Sequence, residues 1–160
     1  MKMKIPIIFL FVFCLFITDH KANANTEYDI NQGLLNLQHT SLDNRTFNLE
    51  GEWEFYWKSL YTPKNFLKEQ NNKSYISVPS IWSQASYSGS SSLSNEGYGT
   101  YRLVIVIGEK QKDQLMSFYV PSVATAYKLW VNGSMLAETG TVGTNRTSME
   151  PMSSAEVFSF

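Results

Sequence analysis

The chain has one cysteine, Cys14, and two histidines, His20 and His39. Cys14 lies inside an apolar run near the N-terminus, so a chain processed behind that run has no cysteine and no disulfide. Transition-metal ligation is not expected on ligand count: outside the N-terminal run only His39 remains, and no His/Asp/Glu cluster has ligand spacing. No loop carries the Asp-x-Asp-Gly pattern of a calcium loop. No run of about 20 apolar residues is long enough to form a spanning helix. Basic residues do not outnumber acidic ones: 13 Lys and Arg stand against 14 Asp and Glu. A nucleic-acid footprint needs a basic patch, and there is none. Internal repeats and heptads are absent too.

The first 24 residues have the layout of a secretion signal. Lys2 and Lys4 precede an apolar run from Ile5 to Ile17, and Ala22-Asn23-Ala24 is an A-x-A cleavage site. Phe13 before Cys14 is too large for a lipoprotein signal. Cleavage after Ala24 leaves a chain from Asn25 to Phe160. It removes Lys2, Lys4, Lys21 and Asp19, which takes the 13 basic and 14 acidic residues to 10 and 13, a net charge of −3. A small exported domain without cysteine points to a bacterial envelope, since secreted domains elsewhere commonly rely on disulfides. Membrane association is then expected only through an uncleaved signal or through helices downstream.

Residues 25–46 are rich in Asn, Gln, Asp and Thr and are expected to be a polar lead-in with at most one short strand. The globular part is expected from 47 to 160. Trp53, Phe55 and Trp57 alternate with Glu52, Glu54 and Tyr56, which predicts a strand with the first set buried and the carboxylates wet. Tyr75–Val78 is a strand stopped by Pro79. Tyr101–Ile107 is a nearly continuous apolar run, the pattern of one central strand. Leu115–Val120 is another strand. Tyr127–Val131 and Met135–Ala137 flank Asn132-Gly133, the strongest short-range hairpin signal. Val157–Phe160 is apolar again. About seven strands and little helix predict an all-β sandwich. Two long polar loops, 83–97 and 140–151, are the places where such a frame presents ligand groups.

Catalytic patterns are missing. No serine stands in a G-x-S-x-G elbow. Glu52 and Glu54, two residues apart on a strand, would be spaced like a glycosidase pair, but their expected solvated face argues against that role. Gly97-Tyr98-Gly99 and Gly140-Thr141-Val142-Gly143 join no strand to a helix, so they are turn glycines rather than a phosphate loop. No cofactor motif is present. The ligand contacts expected at the two loops are Tyr98, Arg102, Arg146 and Trp82. Packing is the competing role for Trp82, as it is for Trp130.

Four short signatures occur in order: Gly51-Glu52-Trp53-Glu54-Phe55, Val78-Pro79-Ser80-Ile81-Trp82, Tyr98-Gly99-Thr100-Tyr101-Arg102 and Val131-Asn132-Gly133. Together they resemble the galactose-binding-like jelly roll, as in the sugar-binding N-terminal domain of β-galactosidase-type glycoside hydrolases. The run Ala126-Tyr127-Lys128-Leu129-Trp130-Val131-Asn132-Gly133, followed by Gly140-Thr141-Val142-Gly143, is more similar to the extracytoplasmic N-terminal domain of bacterial seven-helix receptors with diverse intracellular signalling modules. Phe55-Tyr56-Trp57 suits that family as well. The likeness covers about residues 47–152. It implies a non-catalytic sensor module for a small ligand, with carbohydrate as the family expectation, and it brings no catalytic residues. An accessory sugar-binding domain of a glycoside hydrolase and a structural envelope domain are the alternatives. The receptor family continues into seven membrane helices, which this sequence does not contain. The same comparison leads us to expect a jelly roll that is incomplete at its C-terminus.

Overall fold

The computed structural model describes residues 28–85 and 93–160. The expected signal segment, residues 1–24, and the middle of the first long loop lie outside them. The described chain is all-β with very little helix, arranged in several small sheets. Ten strands follow in order: β1 Ile30–Asn31, β2 Leu34–Leu37, β3 Gly51–Trp57, β4 Ser74–Val78, β5 Gly99–Arg102, β6 Val104–Ile107, β7 Ser117–Val120, β8 Tyr127–Val131, β9 Ser134–Thr139 and β10 Glu156–Ser159. Three short 3₁₀ turns, Pro63–Leu67, Trp82–Gln84 and Glu109–Gln111, punctuate them.

β3 is the hub. It pairs antiparallel with β4 on one edge and β5 on the other, so Phe55 lies opposite both Ser74 and Tyr101. Directly opposed residues share a face. One face therefore carries Trp53, Phe55, Trp57, Ile76 and Tyr101. Phe55 is fully buried there and packs with Ile76, Ala85, Leu93, Trp57 and Trp82. This part of the expected alternation holds. The other part does not: Glu54, expected to be wet, is buried at 7% exposure, with Tyr56 beside it at 2%. The segment between β3 and β4 folds back over their face, which a strand pattern cannot announce.

A second core cluster joins Ile30, Leu35 and Leu37 with Phe47, Leu49, Trp53 and Ile105. The supposed lead-in is thus part of the folded body, and a boundary near residue 47 cuts through this cluster. β1 and β2 form a hairpin across Gln32-Gly33, both with positive φ. β2 then pairs in parallel with β6. The apolar run 101–107, expected as one strand, breaks at Leu103 and serves two sheets: β5 completes the β3 sheet and β6 the β2 sheet. The two sheets are tied at Gly33. Its N–H donates to the Glu52 carbonyl (2.9 Å), and its carbonyl accepts from the Val104 N–H (2.8 Å).

β8 and β9 form the expected hairpin, with Asn132 at φ 49° and Gly133 at φ 86° in the two-residue turn. A register irregularity between Leu129 and Trp130 breaks the simple alternation there. β7 and β10 make a separate two-stranded ribbon. Among the described residues, no helix is long and apolar enough to cross a membrane.

Candidate ligand cleft on the polar face of the β3 sheet

The polar face of β3 is built by register. Glu54 lies opposite Arg102 on β5 and opposite Tyr75 on β4, and Tyr56 is two residues further along the same face. Opposed unlike charges on neighbouring strands attract. The Arg102 Nη1 donates to Glu54 Oε2 at 2.8 Å, and the Tyr56 hydroxyl donates to the same oxygen at 2.9 Å. Lys73, just before β4, places its Nζ 3.9 Å from the other carboxylate oxygen. Glu54 is thus a buried anion with three partners. Its side chain is 9% exposed, while Arg102 and Lys73 remain 38% and 41% exposed. Burial first, and then the hydrogen bond to Glu54, hold the Tyr56 hydroxyl well above the ordinary phenol range.

The cover over this face is the segment 59–73. Its 3₁₀ turn begins at Thr62, whose N–H and hydroxyl both donate to Asn65 Oδ1 (2.8 and 2.9 Å), with Pro63 at the first helical position. Proline belongs there because its missing N–H has no partner to lose. Threonine 100 of β5 pins the segment to the sheet: its hydroxyl accepts from the Tyr61 N–H (2.8 Å) and donates to the Ser59 carbonyl (2.7 Å). Tyr61 donates to Asn72 Oδ1 (2.9 Å), and Asn72 donates to Ser59 Oγ (2.8 Å). So held, Phe66 packs on Tyr56 with ring centroids 5.3 Å apart, and Tyr61 meets both edge-on. The Arg102 guanidinium sits 5.0 Å above the Phe66 ring, a cation–π contact.

Between cover and sheet is a cleft of about 180 Å³, lined among others by Tyr56, Phe66, Lys68, Glu69, Lys73 and Arg102. That is below the roughly 300–1,000 Å³ of sites for drug-sized ligands. One ring, or one end of a longer ligand, is the right size. An aromatic wall stands beside two part-exposed cations fixed by a buried carboxylate.

The four expected contacts are not brought together. Arg102 enters this cleft. Trp82 is on the opposite face, packed on Phe55 and Trp57, with its Nε1 donating to the Tyr101 hydroxyl at 2.5 Å. Burial raises the Tyr101 hydroxyl above its usual range, and the Trp82 hydrogen bond partly opposes this. Tyr98 is half-buried, and its carbonyl accepts from the Lys58 N–H (2.9 Å). Arg146 forms a two-point pair with Glu96, its Nε 3.0 Å from Oε2 and its Nη2 on Oε1. The two long loops therefore do meet, at Glu96 and Arg146. The pair is exposed, it lowers the Glu96 carboxyl and raises the Arg146 guanidinium, and it occupies the charge that was expected to face a ligand.

Glu54, Tyr56, Phe66 and Lys73 were not anticipated. The one local signal was the Glu54-x-Tyr56 spacing, which puts a carboxylate and a phenol on one strand face; the β3–β5 register and the cover come from distant segments. Among the described residues, no group of three or more His, Cys, Asp and Glu side chains could hold a metal ion. Comparison with protein families, with curated proteins and with solved structures finds no match for this chain.

Proposed function

We propose that this chain is a non-catalytic, extracytoplasmic ligand-binding module of a bacterial receptor, with a galactose-binding-like jelly roll as its frame and a small carbohydrate as its ligand. The observation that carries this reading is the cleft over Glu54. It has a pre-set aromatic wall (Phe66, backed by the buried Tyr56) and hydrogen-bond donors held in place before any ligand arrives. Such pre-organisation lowers the ordering cost of binding. The motifs support the frame: they fall on β3, the end of β4, the start of β5 and the β8–β9 turn. Export rests on the N-terminal signal pattern and predicts a mature N-terminus at Asn25, readable from the intact mass of the exported protein. Retention of residues 1–24 overturns the cleavage and leaves the segment as a membrane anchor.

The binding test is calorimetric titration of the folded protein with a panel of mono- and oligosaccharides, beside the Lys73→Ala variant. Saturable binding that Lys73→Ala weakens, with a cooperative melting curve retained, is the expected result. No heat from any sugar with a demonstrably folded protein overturns the reading.

A further inference from the structure

We infer that the ligand of the Glu54 cleft carries a carboxylate, as in a sugar acid of the uronate class, seated between Lys73 and the outward donors of Arg102. This rests on the cleft being the ligand site, and it goes further by naming the charge that the ligand brings.

The first argument is unspent donors. A guanidinium offers five N–H donors. The bond to Glu54 uses one, and the Tyr56 hydroxyl lies against the same group. The remaining donors have no acceptor among the described residues, and the guanidinium is 38% exposed. Lys73 is in the same position: its ammonium is 3.9 Å from Glu54, beyond hydrogen-bond reach, and is 41% exposed. Its other contact is the Tyr75 ring, 5.8 Å away. Arg102 is anchored by one hydrogen bond to Glu54 with donors to spare, and Lys73 is held near the carboxylate without a hydrogen bond.

The second argument is charge balance. Lys68, Lys73, Arg102 and Glu69 line the cleft, and Arg102 and Lys73 adjoin the buried Glu54. Three positive charges against two negative leave one. A carboxylate closes that balance. A phosphate, with about −1.5 to −2 at neutral pH, exceeds it. Arginine's planar fork also matches a carboxylate in two-point geometry. Glu54 is already counted in that balance, as the charge that Arg102 and Lys73 offset first. It lies below Arg102 and holds the guanidinium against Phe66, so it is a positioning residue.

The third argument is shape. Phe66, half-buried and backed by the buried Tyr56 ring, gives an apolar wall next to the cations. A ring with a C–H face and one anionic substituent uses both surfaces at once. A bare inorganic anion leaves the wall unused.

The test is calorimetric titration of the full chain with glucuronate and galacturonate, with the methyl ester of each, and with the corresponding neutral sugars and sugar 6-phosphates. The ester removes the charge and keeps the ring. The acid is expected to bind about tenfold more tightly than its ester, the scale of one charge-assisted contact. That preference should shrink as salt is raised and largely vanish in Lys73→Met, which keeps the aliphatic stem. Rescue by Lys73→Arg separates loss of charge from loss of fold, and circular dichroism melts confirm that each variant is folded. Equal binding of acid and ester overturns the carboxylate inference and leaves the cleft as a site for neutral sugars. Preference for the phosphate also overturns it. Binding of none of the probes by folded protein removes both the inference and the ligand-site reading beneath it.

Discussion

Glu54 decides the character of this protein at the residue scale. A carboxylate 7% exposed in the middle of a strand is stable there because Arg102 and Tyr56 both donate to it and Lys73 stands near. Removing it strands those donors on a covered face. Glu54→Ala is expected to cost about 2–3 kcal/mol, below the full penalty for a deeply buried pair because Arg102 still reaches water. The Glu52 side chain, two residues earlier, accepts from the Gln32 N–H at 3.0 Å in an exposed setting. Glu52→Ala should cost under about 1 kcal/mol. Urea unfolding of the two variants measures the difference, and equal midpoint shifts would mean that Glu54 is not the buried one. Tyr56 gives a pH signature. Its hydroxyl, like that of Tyr101, is held above the phenol range in the fold. A raised pKa gives stability that is complete below the unfolded value, about 10, and is lost as pH rises past it. The melting temperature should therefore fall from about pH 10 upward. Tyr56→Phe should be about 1–2 kcal/mol less stable at neutral pH, through the lost bond to a carboxylate, and should decline less steeply in alkali. A parallel decline in both proteins counts against this account of Tyr56.

At the scale of elements, what could be read from the sequence was whatever is decided locally. The β8–β9 hairpin is such a case, because Asn132 and Gly133 by themselves satisfy the positive φ of the turn. The Phe55 face of β3 is another, since strand alternation suffices to bury it. The opposite face is not legible in the strand pattern, because its cover comes from residues 59–73, tied down through Thr100, a contact across about 40 residues of chain. The split of 101–107 at Leu103 was hidden for a related reason: β5 and β6 are equally apolar, and only their partners β3 and β2 distinguish them. The polar composition of 25–46 masks its part in the core, although Leu35 and Leu37 have the spacing of a strand face. One glycine shows how tightly the elements meet. A Cβ on Gly97 would lie 2.1 Å from the ring of Trp57, which in turn packs edge-on against Trp82 at 4.9 Å. Gly97→Ala should push that ring out of place and cost about 1–3 kcal/mol, the range for overpacking. Tryptophan fluorescence and a thermal melt read this directly; an unchanged spectrum and melt would mean that the ring has room to move.

Over the whole molecule, burial is uneven. Both core clusters draw on residues 28–107, around β3 and β2. Beyond residue 107 the buried side chains are Ala137 and Thr139, and Leu115, Tyr119 and Val157 are 81%, 67% and 67% exposed. The β7–β10 ribbon has two open edges among the described strands. Local stability follows covered backbone and buried contacts. Amide exchange should therefore be slow at Phe55 and Tyr56 in β3 and much faster at Phe118 and Tyr119 in β7, whereas uniform protection would show a cooperative unit that this distribution of burial does not predict.

The central claim is that ligand binds over Glu54, on the polar face of the β3 sheet, and not where Glu96 and Arg146 join the two long loops. An amide chemical-shift titration with galacturonate tests it most directly. The account predicts shifts concentrated at Tyr56, Phe66 to Gln70, Lys73 and Arg102, with Glu96 and Arg146 unmoved. Shifts confined to residues 94–98 and 140–151 would contradict it.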